Sequence, residues 1–431
     1  MEKARLTKKG LTRKAMFLAV LLLAGFSGLF SEEKVEARGY YKNFSILLML
    51  PAYNQNGFFF HEPDLGAVQN RLRLDLKFRL SSRVTLHSAY DILPKVQDRR
   101  LFEESVFTTG LTPLEYRITD FRERLYPGSE GTVSSFGLFH NLDRLYVAVR
   151  TDLADVSIGR QAIAWGSARV INPTDILAPF AFNELDKEER RGVDAVRIRV
   201  PLGMMDELDF GFVAGHRARS RTSAFFLRGK VHVEQTDWTG VLVAFRRHLL
   251  IGLDIARALG GAGFWAESAL VIPQVFADPE RPREKAYFRT SIGLDYSLSS
   301  TTYGFVEYHF SSAGKTRPES YSELLGSAAS KDGSVYLFGK HYVSVGATYQ
   351  ISPLVPFMGL AIFNLSDRSL MLSPILEYNI AENIYLGGGA YIGLGKNPES
   401  LPTLLPGKVV LMHSEFGAYP DMVFTSFRLY F

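Results

Sequence analysis

From Arg71 to Leu80 the chain reads Arg-Leu-Arg-Leu-Asp-Leu-Lys-Phe-Arg-Leu. Leu72, Leu74, Leu76, Phe78 and Leu80 alternate with Arg71, Arg73, Asp75, Lys77 and Arg79. A period of two belongs to an extended strand, so the apolar side chains share one face and the charged ones the other. Ser81-Ser82 turns the chain, and Val84, Leu86 and Tyr90 continue the apolar face on the way back. A soluble sandwich would accommodate one such hairpin, its charged face toward bulk water. The pattern, however, recurs along the chain. Leu145, Val147 and Val149 oppose Arg144, Tyr146 and Arg150, and Phe225 and Leu227 oppose Arg228 and Lys230. Phe288, Ile292, Leu294 and Tyr296 oppose Arg289, Ser291, Asp295 and Ser297, and Val343 and Val345 oppose Ser344 and Gly346. Segments of about nine to twelve residues have the length a tilted strand needs to cross a bilayer.

The connections between them alternate in length. Short ones fall near 81–82, 151–155, 202–206, 298–301, 351–354 and 381–383, and long ones near 51–67, 93–141, 164–192, 272–285, 312–338 and 395–412. An all-β, transmembrane, antiparallel up-and-down barrel has this alternation of short turns and long loops. Eighteen strands fit, with sixteen as the alternative count, and the stretch 216–262 decides between them. One strand is expected to end at 92 and the next to begin at 142. The last, 421–431, has Val423, Phe427, Leu429 and Phe431 on one face and must close against the first at 40–50, because unpaired backbone groups are not tolerated in lipid. Its terminal Phe431 resembles the signature that the barrel-assembly machinery reads on outer-membrane barrels.

Composition agrees with this reading. Mean hydropathy is only +0.01, too polar for a bundle of membrane helices, yet there are 32 Phe and 20 Tyr, as aromatic girdles require. Cysteine is absent, which excludes disulfides, thiolate metal sites and cysteine nucleophiles. Lys3, Arg5, Lys8, Lys9, Arg13 and Lys14 precede an apolar run from Met16 to Phe30. That is a signal peptide in form, with cleavage expected after Ala37, or earlier near Ser31, and an uncleaved anchor as the other reading. Residues 1–37 are thus a signal peptide and 38–431 the barrel. Of 49 Lys and Arg and 45 Asp and Glu, the signal holds seven and four, leaving 42 against 41, a balance that gives no support to nucleic-acid binding.

One segment breaks the alternation. Between strands at 155–163 and 193–201, residues 164–192 carry Trp165, Asn172-Pro173, Pro179 and a charge cluster from Glu184 to Arg191. Long ordered loops in compact folds are usually functional, and this one reads as a constriction folded into the lumen. The face expected to line that lumen is rich in cations: Arg71, Arg73, Lys77, Arg79, Arg144, Arg150, Arg160, Arg197, Arg199, Arg228, Lys230 and Arg289. Acids on the same strands are fewer: Asp75, Asp254, Glu267, Asp295 and Glu307. Guanidinium groups stay charged and hold carboxylates in a fork, so such a pore favours anions. The competing reading is that these cations pair with lumen acids and fill the barrel. No catalytic constellation stands out. His61, Glu62 and Asp64 read as a solvated loop, and Gly387 to Gly389 lack the Lys-Ser/Thr of a phosphate loop and mark a bend. No cofactor and no metal is implied.

Gly159-Arg160-Gln161, Trp165-Gly166, Arg169, Asn172-Pro173, Asp175 and Arg191 to Arg197 together resemble a motif of uncharacterised porin-like outer-membrane proteins. Gly-Arg-Gln followed by Asp-Ala-Val-Arg is also similar to the alginate-export porins, as is Gly252-Leu253-Asp254 through Gly260-Gly261 to Glu267, although Asn-Pro-x-Asp departs from the exporter. The resemblance implies a large barrel with an arginine-rich constriction, with Arg160 and Arg197 at that constriction and Asp194 as a loop-anchoring partner. The expected function is a porin passing small polar, preferentially anionic solutes through the bacterial outer membrane by diffusion. An export conduit for an anionic polysaccharide and a structural or adhesive barrel are the alternatives.

Overall fold

A computed structural model of the protein describes residues 34–55, 58–103, 116–119, 124–128, 131, 133–180, 184–276, 284–331, 335–401 and 409–431. Residues 1–33, which hold nearly all of the expected signal peptide, lie outside them. Eighteen antiparallel strands form a closed barrel. They are β1 (Val35–Met49), β2 (Leu65–Arg79), β3 (Val84–Gln97), β4 (Phe136–Arg150), β5 (Asp155–Ala162) and β6 (Gly192–Pro201), followed by β7 (Glu207–Ala214), β8 (Ala224–Val233) and β9 (Thr236–Phe245). The second half comprises β10 (His248–Leu259), β11 (Ala262–Ile272), β12 (Tyr287–Ser297), β13 (Thr302–Ser311), β14 (His341–Ser352), β15 (Val355–Asn364), β16 (Ser369–Ala381), β17 (Ile384–Leu394) and β18 (Asp421–Tyr430). Each strand pairs with its neighbours in sequence, and β1 closes on β18 with Tyr40 opposite Tyr430 and Met49 opposite Asp421. A short strand, Arg124–Tyr126, adds to β4, and four short loop strands make a separate small sheet.

The count is eighteen, but several boundaries moved. β1 begins at Val35, paired with Phe78, two residues before the expected cleavage point. β3 runs five residues past Ile92, and β4 starts six before Leu142, because a bulge opposite Ala89 and Tyr90 resets the register and Pro94 sits within the ladder. In the stretch 216–262 the turn between the expected strands 222–233 and 236–246 stands where expected, at Glu234 (φ 48) and Gln235 (φ 63). A type I′ hairpin turn needs positive φ at both positions, and here no Gly or Asn marks it. At the long-loop end, β9–β10 and β15–β16 are joined by brief turns, so that end is not uniformly long.

The alternation places apolar groups outward. Leu72, Leu74, Ile292, Leu294, Leu376 and Leu386 are each 41–45 % exposed, while Arg73, Glu267, Ser291, Glu307 and Ser344 on the opposite face are at most 2 % exposed. At the short-turn end Trp238, Tyr296, Tyr349 and Tyr378 stand on the outer wall, and at the other end Phe136, Phe225 and Phe288. Such an exterior is stable only in lipid: a charge in the middle of it, as in Leu74→Arg, would cost about 2–4 kcal/mol. No helix of the described residues is long and apolar enough to span a membrane.

The interior is layered. Toward the long-loop end Ile163, Ile176 and Leu177 pack with Val213, Phe226, Val243 and Leu250 of the wall and with Tyr321, Leu324, Val335 and Phe338 of the 312–340 connection. Below this apolar plug, toward the short turns, the lumen is lined by charged side chains.

Candidate functional site: the loop across the lumen

Residues 163–180 leave β5 and cross to β11 and β13, and residues 184–191 lead back to β6. On that far wall two carboxylates receive the loop. Glu267 of β11 accepts from Ala168 N (3.1 Å), Thr174 N (2.7 Å), Thr174 Oγ1 (2.7 Å) and Asn172 Nδ2 (3.2 Å). Glu307 of β13 accepts from Arg169 N (2.6 Å), Ile171 N (3.1 Å) and Trp265 Nε1 (3.1 Å). Arg289 Nη2 donates to Pro173 O at 2.6 Å and Ser291 Oγ to Ile171 O at 2.6 Å. Backbone N–H groups of a loop have no ladder to satisfy them, and burying them unpaired is costly. The two glutamates supply the missing acceptors. Gly166 is required for this approach. Its φ is +106°, and a Cβ there would lie 2.7 Å from Glu267 Oε2. The Trp-Gly and Asn-Pro-x-Asp elements are therefore anchoring elements, with Trp165 Nε1 donating to Thr174 O at 3.0 Å and Asp175 paired with Arg190 at 3.0 Å.

The returning arm meets the opposite wall. Lys42 of β1 holds Asp186 at 2.8 Å and Glu188 at 2.5 Å. Arg71 reaches Asp186 at 3.0 Å, and Glu189 lies 3.5 Å from Arg144 and 3.7 Å from Arg73. Tyr430 of β18 donates to Glu188 at 2.7 Å. Behind them, wall carboxylates hold the same cations: Asp91 pairs with Arg71 (3.0 Å) and Arg73 (3.3 Å), and Asp143 with Arg73 (2.8 Å) and Arg144 (2.5 Å).

Between loop and wall lies a chamber of about 300 Å³ lined by Trp165, Gly166, Ser167, Arg197, Arg228, Lys230, Asp237 and Asp254 among others. Arg197 forks onto Asp209 at 2.9 and 2.7 Å, Arg228 reaches Glu207 at 3.0 Å and Lys230 reaches Asp237 at 2.7 Å. Ser167 donates to Asp254. Arg228 Nε has no partner among the described residues.

Of the cations named from sequence, Arg71, Arg73 and Arg144 thus gather on the near wall and Arg197, Arg228 and Lys230 in the chamber. Lys77 lies lower on β2, in register with Glu36 and His87. Arg79, Arg150 and Arg199 sit at the short-turn mouth, with Arg150 and Arg199 reaching Asp155 at 3.6 and 3.7 Å. Arg289 is buried beneath the loop. Arg160 and Asp194 are placed differently. By register they share the face of Leu145 and Val196, which is the outer one, and bind each other at 2.7 Å. Arg160 Nη2 donates to Thr119 O and Ile118 N to Asp194 Oδ2, both at 2.8 Å, so the pair fastens the 116–119 segment instead of the constriction. Within the expected strand 155–163 Arg160 alternates with Val156 and Ile158, which puts it on that face; the resemblance implied a place at the constriction for Arg160 and, for Asp194, the anchoring of a loop, which here is the 116–119 segment.

Sequence reasoning missed Lys42, Asp91, Asp143, Asp209 and the loop acids as partners. Lys42 and Asp209 stand at inward positions of their strands and were open to the same alternation argument. Asp143 is the extra residue of the bulge, which turns it inward against the period. The metal-like group near His61 holds no cluster among the described residues, and Glu62 instead pairs with Arg100 at 2.5 Å.

No family model matches the sequence, and no curated protein matches it. Solved structures do. OccAB2 of Acinetobacter baumannii is 8 % identical over 92 % of this chain and 98 % of its own, with a TM-score of 0.54. OpdK of Pseudomonas aeruginosa, solved with vanillate, is 9 % identical over 92 % of this chain and 98 % of its own at 0.51. OccK2 (OpdF) of Pseudomonas aeruginosa, solved with glucuronate, is 8 % identical over 92 % and 96 % at 0.51. The chain has the barrel fold of these porins. Identities this low carry the fold of that porin-like barrel and nothing finer, and the resemblance to alginate exporters finds no support among them.

Proposed function

We propose that the protein is an outer-membrane porin through which small polar, preferentially anionic solutes diffuse passively. The observation that carries this reading is the chamber beneath the loop. It has room for a small solute, and Arg197, Arg228 and Lys230 line it beside Asp209, Asp237 and Asp254, on a lumen wall whose other face is greasy. A low-dielectric wall with fixed cations attracts anions and repels cations. The loop supplies the size limit. Two of the structural neighbours were solved with small carboxylates, vanillate and glucuronate, which makes these the first solutes to try. In this reading the short turns face the periplasm, lipid covers the outer wall, and Phe431 at the foot of β18 is the handle for the barrel-assembly machinery.

Planar-bilayer recording tests it. Open conductance with a reversal potential displaced toward anions is expected. Arg199→Glu and Lys230→Glu, two partly exposed lumen cations, should move that potential toward cations. A protein that inserts but passes no current would remove the diffusion pore. A potential indifferent to both substitutions would remove electrostatic selection.

A further inference from the structure

The cations of the near wall are held by two kinds of carboxylate. Asp91 and Asp143 belong to strands, are at most 3 % exposed, and reach Arg71, Arg73 and Arg144 at close range. They cannot leave without breaking the barrel. Asp186, Glu188 and Glu189 belong to the loop. Their side chains are 20 %, 40 % and 30 % exposed, and Glu189 is 3.5 Å from one arginine and 3.7 Å from the other. On the strands alone four cations, Lys42, Arg71, Arg73 and Arg144, face the two buried carboxylates and, from Arg73 at 3.8 Å, Asp75, which His87 already engages at 2.7 Å. The wall therefore has cationic capacity that the loop acids take up. The cations themselves are buried, Lys42 to 1 %, Arg73 to 2 % and Arg144 to 6 % exposure, so they cannot be left bare; the half-open loop acids are the partners that can be exchanged, provided another carboxylate takes the same fork.

We propose that Asp186, Glu188 and Glu189 are specificity-determining residues that act as an internal stand-in for the solute: a passing carboxylate takes their place on Lys42, Arg71, Arg73 and Arg144, and they return when it leaves. This rests on the reading of the barrel as an anion-preferring pore. The loop acids then have two effects. They keep the cationic wall from trapping an anion, and they admit a monocarboxylate more readily than a neutral sugar of equal size, which has nothing to offer the wall.

The test uses the full-length protein with glucuronate as probe and glucose as the neutral control. Amide hydrogen exchange across 184–190 should quicken with glucuronate and stay unchanged with glucose. In bilayers, Glu188→Gln/Glu189→Gln should lower the glucuronate concentration that half-blocks the current on the order of five-fold, leave glucose without effect, and displace the reversal potential further toward anions. Anion selectivity that persists while exchange at 184–190 ignores glucuronate, and half-block that is the same in both proteins, overturns the proposal and leaves the pore reading intact. A wild-type pore without anion preference, in which 184–190 nevertheless loosens with glucuronate, would do the reverse.

Discussion

Where residues 168–174 meet β11 and β13, Glu267 and Glu307 are buried and their oxygens receive backbone N–H groups. Where residues 186–189 meet β1, β2 and β4, the carboxylates come from the loop, are partly exposed, and reach the ends of long flexible cations. The chemistry is the same, carboxylate to N–H, and the consequences differ. A buried acceptor with several fixed donors cannot be replaced by water, so losing it strands every donor. At the near anchor only the acid is open to water, while Lys42, Arg73 and Arg144 are 1–6 % exposed, so the acid can leave when another anion takes its place on the cation. The far anchor therefore fixes where the loop crosses, and the near anchor decides what the crossing does to a charged solute.

The comparison breaks first at Glu267. Glu267→Ala should release the loop at a local cost of about 3–5 kcal/mol, seen as lost amide protection at 168 and 174 and a several-fold rise in single-channel conductance. Unchanged conductance would mean that the far anchor is not what holds the constriction. A milder test lies in the loops at the long-loop end, where the same device recurs. Glu415 is fully buried and accepts from Phe338 N at 3.0 Å and from Asn364 Nδ2 at 2.8 Å, with the Tyr342 hydroxyl beside it. Burial pushes its carboxyl up from 4.5 to about 8. A raised carboxyl stabilises the folded loops fully below about 4.5, and that contribution is lost as pH rises through about 8. Proteolysis within 335–340 should accelerate across this window in the wild type, and Glu415→Gln should flatten the profile. The smallest effect is expected at the near anchor: Tyr430→Phe removes one donor to Glu188 and should cost less than about 1 kcal/mol, with thermal unfolding of the barrel unchanged. A larger loss would show that anchor to be structural after all.

Much of the fold was legible in the chain. The Arg71–Leu80 alternation alone demands a wall between water and lipid, and eighteen segments could be drawn before any contact was known. The misjudged edges have identifiable causes: a bulge that hides Asp143 and a proline inside β3. The site was half legible. That 163–191 enters the lumen followed from its length and its interrupted period. That Gly166 is there to let Glu267 approach, or that the segment held by Arg160 and Asp194 is 116–119 and not the loop across the lumen, followed from no local pattern.

By itself the sequence determined which side of each strand faces lipid and which faces water, because side-chain alternation is a property of the extended backbone and needs no partner. Only the tertiary structure decided which charges meet. Arg73 can face Asp91, Asp143 and Glu189 at once only after three strands have taken their register and a loop from β5 has crossed the barrel to return beside it. Register and loop landing are set by closure of the whole cylinder, through contacts far apart in the chain, and no window of residues encodes them.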